Sequence, residues 1–394
     1  MAEDVQIEGE HDPRFERVRA CFEDNFRELR EQGAALAIHV AGHKVVDLWG
    51  GVRDRSKVAW TQDTLVNVYS STKGLAALCV QRLIDSGALD PDARVADYWP
   101  EFAQSGKSDV RLHTLLAHRA GLAALDELLP ADAIYDQDRM ARALAEQAPN
   151  WPLEEQERAR HGYHAQTFGF LLAELVRRSA GVTIGQYLRE QIAGPLDADA
   201  FIGLPESDDV RVARVTRALG EVAPPGEVDL GAVWKREPDS LTARAFTNPP
   251  AQPGAAQTRR WRAAELPSSN GHASALGLSR IYAAASGIGP QRAPRGIFSA
   301  TLTERCTVEH ASGEDVVLRV RTRFGPGLML SQSEGTGRFG PNPRSFGHPG
   351  MGGSVGFADP DAHIGFGYVM NRAGGGILID ERPRRLIDAL YACI

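Results

Sequence analysis

The sequence predicts an α/β (α+β) fold in which an antiparallel sheet is flanked by helices and a mainly helical lobe is inserted into it. Three observations carry that expectation. Alternating or apolar runs of strand length gather toward the two ends of the 394-residue chain. An amphipathic helical stripe lies near the N-terminus, and a helix is expected near the C-terminus. The long middle is helical in period and interrupted by loops.

Residues 14–31 repeat Phe15, Val18, Phe22, Phe26 and Leu29 at spacings of three and four, and Gly33 ends the pattern. Two strands follow, Ala35–Ala41 and Lys44–Trp49, joined by a turn containing Gly42. Residues 65–69 read as extended. From Ser71 the chain turns helical, with Leu75, Leu78, Cys79, Leu83 and Ile84 on one stripe and Gly87 at its end. The middle offers helices at Arg111–Ala117, Asp138–Gln147, Thr167–Ser179, Ile184–Ile192 and Ala273–Ala285. Residues 221–272, rich in Pro, Gly and polar residues, read as a long irregular excursion of the kind that shapes a cleft. Strands are expected again at Val316–Thr322, Gly325–Ser331, Gly353–Asp359 and Ile364–Asn371. A last helix is expected to start near Pro383. The expected organisation is one lobe from 1–87 plus 286–394, a helical lobe from 88–285, and a site in the cleft between them.

Composition bounds the function. Hydrophobic residues make up 43% and charged residues 24%, which suffices for a sizeable core. A formal net charge of −7 argues against a nucleic-acid partner. The four cysteines, Cys21, Cys79, Cys306 and Cys393, are far apart with no Cys-x-x-Cys spacing, so structural thiols are expected rather than disulfides or a metal site. The N-terminal stretch Met1–Asp24 is acidic and lacks an apolar run, and no run of about 18 apolar residues occurs. A cytoplasmic protein without a membrane partner is the expectation. Monomer and homo-oligomer are left equally open.

Lysine is scarce, with only Lys44, Lys57, Lys73, Lys107 and Lys235. Against that background Ser70-Ser71-Thr72-Lys73 carries weight. A serine at a helix start sits among free N–H groups and the positive end of the helix dipole. A lysine three residues on shares its face. If partly buried, its amine can lose a proton near neutral pH and take the serine proton as the hydroxyl attacks a carbonyl. Spacing alone also fits an ordinary capped helix with a solvated lysine. Gly162-Tyr163-His164-Ala165-Gln166-Thr167 precedes an apolar helix, and Tyr163 could shuttle a proton, or simply be a half-buried aromatic. Gly347-His348-Pro349-Gly350-Met351-Gly352-Gly353-Ser354-Val355-Gly356 could bring an edge-strand N–H to an oxyanion, or be a glycine-rich turn. Its Gly-x-Ser-x-Gly around Ser354 matches a nucleophile elbow only in letters, because a strand rather than a helix is expected after it.

Together these segments resemble the serine β-lactamase and penicillin-binding-protein superfamily, from about residue 15 to the C-terminus. Within it the chain looks most like the class C β-lactamase-like family VIII carboxylesterases. Tyr163–Gly169, Pro267-Ser268-Ser269-Asn270-Gly271 and Gly347–Gly353 carry that likeness. The resemblance implies a β-lactamase/transpeptidase-like fold and a serine esterase for small, short-chain esters. Ser70 would be acylated, Lys73 would activate it, and Tyr163 would be the motif tyrosine. His348-Pro349-Gly350 would occupy the Lys-Thr-Gly place, and the N–H groups of Ser70 and Met351 would form the oxyanion hole. No cofactor or metal is implied; the partner is a small ester. Ala165 and His348 replace the Asn and Lys of class C β-lactamases, which favours neutral esters. A β-lactamase or D-peptidase, or an acyltransferase, is the alternative on the same scaffold.

Overall fold

The structure, a computed structural model, describes residues 5–153, 160–217, 222–291, 294 and 296–394. Its centre is a nine-stranded sheet, antiparallel at every pairing. From one edge to the other it runs Ile7–His11, His43–Gly51, Gly33–Val40, Ile364–Met370, Val355–Asp359, Phe346–Pro349, Met329–Leu330, Arg321–Phe324 and Ala311–Glu314. The two chain ends therefore meet in mid-sheet, where Leu36 lies opposite Tyr368 and Ile38 opposite Phe366.

Strand periodicity explains the layers. In Gly33–Val40, Ala34, Leu36 and Ile38 face one core and Ala35 and Ala37 the other. On the first face Phe15, Val18, Phe22 and Phe26 of the N-terminal helical segment pack with Leu386, Ile387 and Leu390 of the C-terminal helix Glu381–Tyr391. On the second face the helix Ala275–Ala285 lies directly against the strands. A Cβ on Gly365 would come 2.2 Å from the Ala283 backbone nitrogen, and one on Gly356 2.3 Å from the Tyr282 ring. Only glycine permits that approach.

Several expectations are corrected. The helix Ala275–Ala285 packs on the sheet and not within the helical lobe. Residues 221–272 are less irregular than expected, although residue 221 itself lies outside the described residues. They contain the short helices Leu230–Arg236, Leu241–Thr247 and Arg259–Ala263, each with a side-chain N-cap from Asp229, Ser240 or Thr258. The segment Val316–Thr322 has only Arg321 and Thr322 in a strand. Its first part is the turn of a hairpin between Ala311–Glu314 and Arg321–Phe324. The turn forms because the Asp315 carboxylate accepts from the N–H groups of Val317 and Leu318, both at 2.9 Å. Gly325–Ser331 shortens to Met329–Leu330, because Gly325 to Leu328 form a tight turn with Gly327 at φ +93°. The strand Phe346–Pro349 is interior to the sheet, not an edge. Among the described residues, no helix is long and apolar enough to cross a membrane.

Candidate active site

The helix Ser71–Asp85 is buried along almost its whole length, and Ser70 is its N-cap. Just before it, Tyr69 has φ +45°, a conformation that costs a non-glycine residue about 1–3 kcal/mol. It is held there from both sides. Val68 N–H donates to Gly271 O at 2.8 Å, and the Thr72 hydroxyl donates to Tyr69 O. The turn leaves Ser70 half-buried while the residues after it are covered.

Lys73 is fully buried. Its Nζ lies 3.4 Å from Ser70 Oγ, donates to the Ser268 carbonyl at 2.9 Å and stands 4.7 Å from the centre of the Tyr163 ring. No carboxylate faces it at hydrogen-bond distance among the described residues. Burial alone drives its pKa well below the ordinary lysine value. Burial raises the Tyr163 phenol, and the nearby Ser70 hydroxyl offsets this only in part. The pair is thus biased toward a neutral amine and a neutral phenol.

Tyr163 is fixed through its backbone. Its N–H donates to Asp315 Oδ1 at 3.0 Å, Gly162 N–H to His118 O at 3.1 Å, and His164 N–H to His118 Nδ1 at 3.1 Å. His164 Nδ1 donates to Gly162 O at 2.7 Å, leaving its Nε2 to accept from Leu122 N–H. The Tyr163 ring packs against His118, His348 and Phe246, with centroids 5.4, 5.9 and 6.4 Å away. Trp234 extends this aromatic row beyond Phe246, 5.9 Å on. The 221–272 excursion therefore does reach the site.

Sequence reasoning missed two participants. Ser268 contributes its carbonyl to Lys73, and its hydroxyl bridges Gly169 N–H and Gln166 O. Asp315 stands just before a segment whose pattern reads as a strand, so nothing local marks it. Asp315→Ala would strand three backbone N–H groups, those of Tyr163, Val317 and Leu318, at about 1–3 kcal/mol each. Thermal unfolding should show a loss of about 3–5 kcal/mol, with a falling kcat as Tyr163 shifts; an unchanged melting midpoint would contradict this reading.

The third segment is only partly as expected. His348 is 1% exposed, and its Nδ1 donates to Pro349 O at 2.7 Å. Burial, reinforced by the Lys73 amine, lowers its pKa to about 3. It is a neutral buried ring, not a cation lining an open cleft. Gly350 N–H is already given to Ser354 O at 2.7 Å, so Gly350 offers space and not a donor. A Cβ there would meet Val68 O at 2.1 Å. Met351 is half-buried and lines a cavity of about 330 Å³ with Tyr69, Val215, Ala255, Trp261 and Ala373. Ser354 is 1% exposed and donates to Val68 O at 2.8 Å, so it buttresses the Ser70 turn from behind.

The chain resembles known proteins over nearly its whole length. It is 33% identical over 376 residues to the Esterase/beta-lactamase LipL of Mycobacterium tuberculosis, covering 93% of this chain and 83% of that one. The crystal structure of a family VIII carboxylesterase superposes with a TM-score of 0.88 at 39% identity, covering 99% and 100% of the two chains. A penicillin-binding-protein homologue from Caulobacter crescentus gives 0.87 at 38% identity, with 99% and 100% covered. The beta-lactamase family profile matches residues 22–390, and the chain accordingly belongs to the beta-lactamase family.

Proposed function

We propose that this protein is a serine carboxylesterase that hydrolyses small esters through an acyl-enzyme on Ser70. One observation carries the reading: the hydroxyl of a half-buried serine at a helix N-terminus stands 3.4 Å from a fully buried amine whose pKa burial lowers. The similarity to the family VIII carboxylesterase and to LipL supports ester hydrolysis in particular.

The pKa directions support Lys73 as the base and Tyr163 as the acid. Lys73, its amine biased by burial toward the neutral form, takes the proton as Ser70 Oγ bonds to the carbonyl carbon. Tyr163, protonated, relays a proton to the departing alcohol oxygen as the C–O bond breaks. Lys73 then returns its proton to Tyr163. Water attacks the acyl carbon by the reverse relay, giving the acid and free Ser70. The N–H groups of Ser70 and Met351 hold the oxyanion; one such donor is worth about 3–4 kcal/mol. His348, its pKa lowered to about 3, is a weak base, so water activation is given to the Tyr163–Lys73 relay. The cavity beside Met351 and the Trp234–Phe246 row suit an apolar ester substituent. The four free thiols fit a reducing cytoplasmic setting.

β-Lactam turnover on this scaffold is the second reading, favoured by the family and by LipL's double designation. Ala165 offers no amide and His348 no cation, and each missing partner removes about 1.5–3 kcal/mol of binding to an anionic β-lactam. kcat/KM for a p-nitrophenyl ester of a short acid should exceed that for nitrocefin by at least roughly 100-fold. Equal values would favour the lactamase. The reading as a whole is tested by labelling with a p-nitrophenyl phosphonate and mapping the modified peptide. Label on Ser70 is expected; label on Ser354, or none, would sink it.

A further inference from the structure

We propose that Arg382, on the C-terminal helix, is a positioning residue that clamps the glycine-rich turn and so aims the Met351 N–H at the oxyanion. The inference rests on the serine esterase reading above. Arg382 is separated from Ser70 by more than 300 positions in sequence, and the family resemblance gave it no role.

Arg382 is buried, with its side chain only 5% exposed, and its guanidinium is fully engaged. Nη2 donates to Gly352 O at 2.6 Å, and Nη1 donates to Arg372 O at 2.7 Å. Two carboxylates balance its charge: Glu31 at 3.1 Å, wholly buried, and Asp380 at 2.6 Å. Tyr368, on the central strand, donates its hydroxyl to Glu31. A buried cation this well paired is rigid, and removing the guanidinium leaves the Glu31 and Asp380 carboxylates without their cation.

The clamp acts on the residue beside Met351. Gly352 O accepts from both Arg382 and Gly374 N–H, while Gly352 N–H donates to Gly376 O, both backbone bonds at 3.0 Å. Gly353 N–H then donates to Gly350 O at 3.0 Å, fixing the peptide plane that carries the Met351 N–H. The fit is close: a Cβ on Gly353 would lie 2.8 Å from both Arg382 Nη2 and Asp380 Oδ2. Merely structural ion pairs do not need to grip the carbonyl next to a catalytic N–H. The Glu174 pair with Arg177 and Arg178, equally buried at its carboxylate, grips none in the site.

The test compares Arg382→Gln, Arg382→Lys and Tyr368→Phe in the full chain, with Glu174→Gln as a control for lost stability. Melting midpoint, kcat and KM on p-nitrophenyl butyrate, and the infrared carbonyl stretch of the Ser70 acyl-enzyme are measured. A carbonyl held by two N–H groups absorbs at lower frequency than one held by one. Arg382→Gln should lower kcat about 100-fold with KM within threefold, and should raise the carbonyl frequency. Arg382→Lys should recover part of both. Tyr368→Phe, which loosens Glu31 without removing a charge, should lower kcat about threefold to tenfold in the same direction. It decides the matter if the Arg382 variants do not fold. Glu174→Gln should melt earlier with the native carbonyl frequency. Folded variants with native kcat and frequency would overturn the clamp. An unaltered protein that forms no acyl-enzyme on Ser70 would instead overturn the esterase mechanism beneath it.

Discussion

Ser70→Ala is expected to abolish ester cleavage, lowering kcat by at least about 10⁴-fold while the protein melts close to the unaltered midpoint. Acyl transfer that depends on a covalent intermediate loses its route altogether when the hydroxyl goes, and what remains is the oxyanion hole acting on water. The side chain stands half-buried at its helix cap and makes no side-chain capping bond, and the Lys73 amine that loses its hydroxyl keeps the Ser268 carbonyl at 2.9 Å. Ser354→Ala is the counterpart. It removes the hydroxyl that holds Val68 O at 2.8 Å, a bond worth about 1 kcal/mol, and should keep most of the activity. Stopped assays and single-turnover release of p-nitrophenol separate the two. If Ser354→Ala is dead and Ser70→Ala active, the nucleophile is misassigned.

Lys73→Met should lower kcat by about 10³-fold or more and at the same time stabilise the fold. Its amine is fully buried, with one carbonyl and one hydroxyl for partners. Burial lowers its folded pKa well below its unfolded value of about 10.4. Between those two values the unfolded chain holds a proton that the folded chain has released. Stability contributed by this group therefore rises with pH across that window and is lowest below it. Methionine fills similar space without that proton cost, so at pH 7 the variant should melt higher, and its midpoint should vary less between pH 7 and 10. The same titration shapes catalysis. In the unaltered enzyme kcat/KM should rise with pH as Lys73 deprotonates and stay flat through pH 9, because the Tyr163 phenol titrates above its usual range. A variant that melts lower and keeps its activity would show that Lys73 is an ordinary structural cation.

Lys107 shows where sequence reasoning stops. It is as buried as Lys73 and equally rare in the chain, yet its Nζ donates to the carbonyls of Gln104, Ala145 and Gln147. Three carbonyl acceptors make it a strut between a turn and the end of the helix Gln137–Glu146. Scarcity alone could not rank the two lysines; the serine one turn before Lys73 did. The apolar stripes after Ser71 and near the N-terminus, and the strand runs at the two ends, were legible because helical and strand periods are local. The Val316–Thr322 segment misled because its three valines and Thr322 favour a strand, while the Asp315 carboxylate captures the backbone into a turn.

The sequence by itself determined the layered α/β plan, the serine–lysine pair and the order of the three motifs, since these depend on spacing within a few residues. Tertiary structure alone decided that Lys73 has no carboxylate partner among the described residues, that His348 is a neutral core ring and that Ser354 faces away. It also brought Asp315 to Tyr163, Ser268 to Lys73 and Arg382 to Gly352, across 152, 195 and 30 residues of chain. Burial and long-range hydrogen bonds set protonation and aim, and neither is written in any local pattern.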